Sequence, residues 1–361
     1  MTDEQQNPPP RENPKLVGHD AVERILIDAW TSGRIPHAWL FTGPRGIGKA
    51  TLAYRFAKFV LANGGEGVPM FDQKPLTLAL DQDNPIFRYI SSGSHPDLLT
   101  LQRGDIHPDT GRTTDGIVVS QVRKAVAFMR LTPALGGWRV VVIDAADSMN
   151  INAANALLKC LEEPPKRAFF ILVGHSPGIL LPTMHSRCQR LSLAPLDDIN
   201  VLELLKTYRP QSTEVDRDLA LQLADGSIGE ALAVIDAGGL NFYREFIRIV
   251  GTLPDIDISA VHTLGDRMAR GAPSENFATF SRLVDRWLSG MIRSISTGRP
   301  VIESVDGEQV IIERLNHLAG LEEWLEIWEK VKQLLFRAEY ANLDRKQVVI
   351  GMFHALSSAS R

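Results

Sequence analysis

The sequence predicts a parallel α/β sheet covered on both faces, followed by an all-helical C-terminal region. Three observations carry that expectation. Short apolar runs that read as buried strands alternate with stretches of helical periodicity as far as Pro195. One junction between such a run and a helix is glycine-rich: "GPRGIGKAT", Gly43 to Thr51. Beyond Pro195 the strand-like runs stop and helical spacing alone remains.

The elements follow in order. Residues 1–14 are polar and proline-rich and are expected to be a disordered tail. Val22, Ile25, Leu26 and Trp30 have the spacing of one helix face. "HAWLFTG" is an apolar run ending in glycine, a buried strand, and "GKATLAYRFAKFVLA" is a helix whose apolar positions include Leu52, Phe56 and Val60. Residues 63–95 are turn-rich and expected to be irregular. "DLLTLQR" reads as a strand, and "DGIVVSQVRKAVAFMRLTP" as a strand running into a helix. "WRVVVIDAAD" is the clearest buried strand. "NINAANALLKCLEEPP" is a helix with an Asn cap and a Pro-Pro stop. "AFFILVG" and "SRCQRLSLAPL" complete the strands. Three short helices then fill residues 196–239, and longer ones follow to residue 361. In the latter, Trp287 and Met291, and the stripe Trp324, Ile327, Trp328, Val331, Leu335, have helical spacing that fits a core first and an interface second.

The totals narrow the function. A formal net charge of −4 over 361 residues requires any nucleic-acid contact to come from a local patch. Arg123, Lys124 and Arg130 lie on a predicted helix and suit either a duplex or a solvated face. The two cysteines, Cys160 and Cys188, form no C-x-x-C pair, which argues against a zinc site or a disulfide framework and for the cytoplasm. Both read as small packing residues rather than nucleophiles. No secretory pattern and no long uncharged apolar run is present, so no membrane association is expected.

The chemistry centres on the glycine-rich junction. Strand, glycine loop and helix is the context of a phosphate loop, in which backbone N–H groups at a helix start surround phosphates. Gly43, Gly48 and Lys49 stand at the positions of that pattern, but Ala50 replaces the Ser or Thr whose hydroxyl would hold Mg²⁺. Thr51 comes one position late, turned about 100° around the helix. Asp144 ends the "RVVVI" run where a metal-binding aspartate would stand, and Ala145 follows where a water-activating glutamate would be. Gly43, Gly46, Gly48, Lys49, Thr51 and Asp144 thus make a candidate but degenerate nucleotide site, without a metal shell.

Together "HAWLFTGPRGIGKATLA", "VVVIDAADSMNINAANALLKCLEEPP", "FFILVGHSPGILLPTMHSRCQRL" and "DGSIGEAL" resemble bacterial clamp-loader subunits of the AAA+ class, strongly over residues 15–235. The later "NLDRKQ" is also similar to a segment of that family. The resemblance implies an AAA+ α/β domain at 15–195, a helical lid at 196–239 and an oligomerising helical collar at 240–361. "LVGH", Leu16 to His19, is similar to the segment over an adenine. "SRC", Ser186 to Cys188, is the signature whose Arg187 would enter a neighbour's ATP site as an arginine finger, the alternative being a solvated or surface-paired residue. His175 stands near the first sensor position. Gly229 and Glu230 stand where a second sensor arginine would be, with Glu230 expected to be an exposed helix residue.

The implied role is that of the stationary member of a five-subunit ring with gamma/tau and delta partners. It would hold ATP or ADP without hydrolysing it, and act on a sliding clamp indirectly and on primer–template DNA. The zinc-binding cysteines that many relatives carry after the loop helix are missing from residues 63–95, so no zinc is expected. The alternatives are an active AAA+ motor and a scaffold that binds no nucleotide.

Overall fold

The structure is a computed structural model that describes residues 7–65, 75–105, 116–135, 137–175, 178, 180–269, 274–340 and 343–358. It divides into two compact units, Met1–Asn200 with Gly226–Ile228, and Val201–Asp225 with Gly229–Arg361. The expected lid and collar segments both fall in the second unit, apart from residues 196–200 and 226–228.

The first unit is built on five parallel strands: β1 Ala38–Thr42, β2 Leu98–Gln102, β3 Arg139–Asp144, β4 Ala168–Gly174 and β5 Gln189–Ser192. Their order is β2-β3-β4-β1-β5. Register sets Leu40 beside Leu172 and Val142 beside Ile171. The period of two sorts the side chains between two cores. Trp39, Phe41, Val140, Val142, Phe169 and Ile171 share one core with Leu52, Phe56 and Val60 of α2 (Lys49–Asn63). Ala38, Leu40, Val141, Ile143, Phe170 and Leu172 share the other with α4 (Val119–Met129) and α5 (Ile151–Glu162). Both faces are covered, so the strands read as nearly unbroken apolar runs. Aromatic rings interlock in the first core, with Phe56 5.4 Å and Trp138 5.9 Å from Phe169 between centroids.

Helix ends follow local chemistry. The Asn150 side chain accepts from the Ala153 amide at 2.8 Å and starts α5. Cys160 is buried in α5, and half-buried Cys188 packs against the same core.

The helical spacing of Val22, Ile25, Leu26 and Trp30 is met by α1 (Asp20–Thr31), in which Ile25 is 47% exposed and Glu23 is buried, paired with Arg55 of α2. Two expectations are corrected. Within 63–95, Asn84 caps a helix, α3 (Pro85–Ser91), with proline at its first position. The strand expected before α4 is a single bridge between Ile117 and Met149. Part of the 63–95 segment, residues 66–74, lies outside the described residues, as do residues 1–6 of the expected tail. Residues 9–13 form a hydrogen-bonded turn, and the Pro14 carbonyl accepts from Arg55 at 2.6 Å.

The second unit is helical: α7 (Asp198–Tyr208), α8 (Glu214–Ala224), α9 (Ile228–Asp236), α10 (Gly239–Val250), α11 (Ile258–Ala269), α12 (Ser274–Thr297), α13 (Glu308–Leu318), α14 (Leu321–Tyr340) and α15 (Arg345–Ser358), after the short α6 (Pro182–His185) of the first unit. Phe246 of α10 meets Trp287 of α12 at 5.4 Å and Phe353 of α15 at 5.9 Å between ring centroids. Trp287, Met291, Trp324, Ile327, Val331 and Leu335 are all core residues. Trp328 is half-buried, with its indole N–H on Asp285 at 2.8 Å.

Phe169 has no exposed surface. Phe169→Ala is therefore expected to lower the stability of the first unit by about 3–5 kcal/mol, measured by urea unfolding.

Candidate functional site

The site forms at the carboxyl ends of β1, β3 and β4, where open parallel sheets place their ligand crevices. After β1 the chain must turn without side chains in the way. Gly43 has φ +145°, and a Cβ there would lie 2.4 Å from the Leu193 carbonyl oxygen. Gly48, with φ +103°, caps α2, and a Cβ there would stand 3.1 Å from Leu16 and 3.7 Å from the His19 ring. Gly46 also has positive φ, +75°. Glycine is thus required by both conformation and space.

The loop holds itself. The Lys49 ammonium donates to the Gly43 carbonyl at 2.7 Å and to the Pro44 carbonyl. The Ser227 hydroxyl donates to the Arg45 carbonyl at 2.7 Å. His19 Nε2 donates to the Ile47 carbonyl at 2.6 Å. Four carbonyls of one short loop are engaged, while the first N–H groups of α2 are the ones a helix start leaves without intrahelical partners. Lys49 is 3% exposed, and burial drives its pKa down to about 8 against the pull of Asp144 and Asp147.

Asp144 ends β3, half-buried. Burial pushes its carboxyl above the usual range, and Lys49 partly offsets this. Asp147, in the turn Ala146–Ser148, accepts the backbone N–H of His175 at 3.3 Å. Burial first, and the Lys49 charge second, hold the His175 ring below the ordinary histidine range. Its Nδ1 is buried without a hydrogen-bond partner among the described residues. The structure thus brings Gly43, Gly46, Gly48, Lys49, Asp144 and His175 into one electrostatic cluster, and adds Asp147 and the bond from His19. Asp147 was readable only as the last letter of "IDAAD"; nothing in that spacing says that its carboxylate would meet a loop 28 residues later.

The residues suit phosphate better than metal. Backbone donors, Lys49 and the orphaned His175 Nδ1 fit an anion. For a metal, Asp144 and Asp147 are the carboxylates at hand, Ala50 and Ala145 carry no side-chain oxygen, Thr51 is buried in α2, and among the described residues no group of three His, Cys, Asp or Glu is gathered that could hold an ion.

Arg187 stands apart from this cluster, after α6. Its Nη2 donates to Glu162 at 2.7 Å and its Nη1 to the Thr183 carbonyl at 2.9 Å. The side chain is 33% exposed. Glu162, the last residue of α5, supplies this partner and was not singled out by its sequence. Glu230 is not a solvated helix residue. Its carboxylate accepts from Arg282 Nε at 2.6 Å and is only 21% exposed, because the two helices that carry the pair place the charges side by side. Arg123, Lys124 and Arg130 are exposed. Among the described residues no helix is long and apolar enough to cross a membrane.

A parallel sheet in the order β2-β3-β4-β1-β5, with a phosphate-type loop after β1 and an aspartate closing β3, is the arrangement of a phosphate-loop α/β domain. Residues 18–197 match the sequence profile of the family described as "DNA polymerase III, delta subunit". That segment is just under half of the chain, and over it the sequence is similar to that family.

It is 35% identical to DNA polymerase III subunit delta' of Pseudomonas aeruginosa over 191 residues, 53% of each chain. It is 31% identical to subunit delta' of Escherichia coli over 212 residues, 58% of this chain and 57% of that one. It is 32% identical to subunit tau of Salmonella typhimurium over 225 residues, 61% of this chain and 32% of that one. The match thus spans little more than half the length of the delta' relatives, and less of tau. A solved gamma subunit-related protein of Thermotoga maritima aligns over 94% of this chain and 99% of that one, at 19% identity and a TM-score of 0.42. That likeness is too remote to bear on this chain.

Two outcomes follow from the site. Gly43→Ala forces a collision with the Leu193 carbonyl and is expected to lower the melting temperature of the first unit by several degrees, read by calorimetry. His19, His95 and His175 all have folded pKa values below 6.5, each chiefly through burial. Below pH 6.5 the unfolded chain takes up protons that the folded one refuses. Stability of the first unit is therefore full above about pH 6.5 and falls as the solution is acidified. Urea midpoints measured from pH 7.5 to 5 check this, and His175→Asn should flatten the slope.

Proposed function

We propose that this chain is the non-hydrolysing, stationary subunit of a DNA polymerase III clamp loader. In that reading it completes the ATP site of a neighbouring subunit with Arg187. The observation that supports it is an asymmetry. Inside the chain's own site the oxygens for metal and water are replaced by Ala50 and Ala145, and Lys49 sits on the carbonyls of its own loop. Outside it, Arg187 keeps a third of its surface exposed while Glu162 and Thr183 hold its guanidinium in one orientation.

The chemistry of each half fits its role. A nucleotide bound in the loop would be held by backbone N–H groups and Lys49, with no ligand from Ala50 for a metal ion. A guanidinium is planar and permanently charged, and stabilises negative charge on a transferring phosphoryl group. An arginine already held by three partners, Glu162, Thr183 and Ser186, enters a neighbouring site with less freedom to lose. The remaining expectations belong to the same proposal: gamma/tau and delta subunits as partners in a five-membered ring, the sliding clamp indirectly, and primer–template DNA through phosphate contacts.

Two measurements test it. The isolated chain incubated with ATP and Mg²⁺ is expected to show no turnover above background; appreciable turnover would mark it instead as a motor subunit. In a loader reconstituted with Arg187→Ala, hydrolysis at the adjoining site is expected to fall by about 10³-fold, seen as loss of that site's share of the DNA-stimulated ATPase. An unchanged rate would remove the role in trans.

A further inference from the structure

The second unit contains a cavity of about 410 Å³ among α10, α12, the start of α13 and the intervening 298–307 segment. Arg286, Arg293 and Arg299 all line it. Arg286 and Arg293 are seven residues apart on α12, two turns along one face. Burial disfavours the charge on Arg286 most, the Glu308 carboxylate favours it, and Arg293 disfavours it again, less strongly.

The carboxylates nearby do not neutralise all three. Asp225 pairs with Arg286, which also donates to the Gln222 carbonyl. Glu308 is 3% exposed and accepts from the Val305 amide at 2.8 Å and from the Tyr243 hydroxyl. Arg293 and Arg299 have no carboxylate partner among the described residues. Ser294 donates to the Arg299 carbonyl at 2.6 Å and fastens that residue's backbone to α12. Arg286 thus has its counter-charges, whereas Arg293 and Arg299 do not, and such cations at one cavity are better accommodated when an anion joins them. Apolar lining is also present: Trp287, Val301, Ile302 and Ile312, with Ile302 83% exposed. The volume is in the range of small-molecule sites, roughly 300–1,000 Å³.

We propose that this cavity binds a small phosphorylated molecule of nucleotide size, with Arg286, Arg293 and Arg299 on its phosphates and the Trp287–Ile302 wall against its less polar body. Arg forks match phosphate oxygens in pairs, which suits a compact diphosphate or triphosphate. A nucleic-acid strand would call for a stripe of cations along a surface rather than three gathered in one cavity. The site is independent of the phosphate loop of the first unit and of the role given to Arg187.

The test is calorimetric titration of the full chain with pyrophosphate, with ATP in the absence of Mg²⁺, and with a short single-stranded oligonucleotide. Each is repeated on Lys49→Ala, which weakens any binding at the loop, and on Arg293→Ala/Arg299→Ala. Saturable binding of pyrophosphate and ATP is expected to persist in Lys49→Ala and to weaken about tenfold or more in the double arginine variant. Both arginines are exposed, so the variant should fold; if its melting curve shifts, the single exchange Arg293→Gln takes its place. No saturable binding, binding lost in Lys49→Ala, equal binding by the arginine variant, or binding of the oligonucleotide alone would each overturn the proposal.

Discussion

The ammonium of Lys49 sits on the carbonyls of Gly43 and Pro44, and the first unit is organised around that contact. A buried cation costs free energy unless its protons are taken up, and these carbonyls take up two of them. The contact closes the loop on itself. His19 and Ser227 then engage two further loop carbonyls, so parts of the chain far apart in sequence are tied to one turn. The charge of Lys49 also reaches Asp144 and His175, at the ends of two other strands. A single buried charge therefore links the ends of β1, β3 and β4.

The same contact sets the limits of the site. In the proposed reading a phosphate would be held by backbone N–H groups, and these survive any side-chain change that keeps the loop conformation. Metal binding rests on side-chain oxygens, and Ala50 and Ala145 have none. A site without those two oxygens can keep the same loop backbone. Arg187 obeys a different constraint. It is anchored to the end of α5 by Glu162 and to its own turn by Thr183, so its position depends on the packing of α5 and α6 rather than on the loop.

Much of the first unit was legible because its strands are buried on both faces. "RVVVID" and "AFFILVG" occur where they were expected, as β3 and β4, since a two-sided core admits only apolar side chains. Leu52, Phe56 and Val60 are fully buried, as their spacing required. What was not legible shares a cause. Glu23 is buried although charged, because Arg55, 32 residues away, supplies its counter-charge. Glu230 looked solvated until Arg282, 52 residues away, met it. Helix α3 escaped notice because seven residues are too few for a periodicity, although Asn84 and Pro85 marked its start.

The sequence by itself determined the chain order of the five strands and of the longer helices, the glycines at the loop and the residues Ala50 and Ala145 that carry no side-chain oxygen. Each of these is a matter of which residue type stands next to which, and chain neighbours are given by the covalent order. Only the tertiary structure decided where the charges went: Lys49 onto its own loop, Glu162 onto Arg187, Asp147 onto the amide of His175, and three arginines around one cavity. Ion pairs and hydrogen bonds act over a few ångströms in space, and a sequence holds no record of which distant residues folding will bring within that distance.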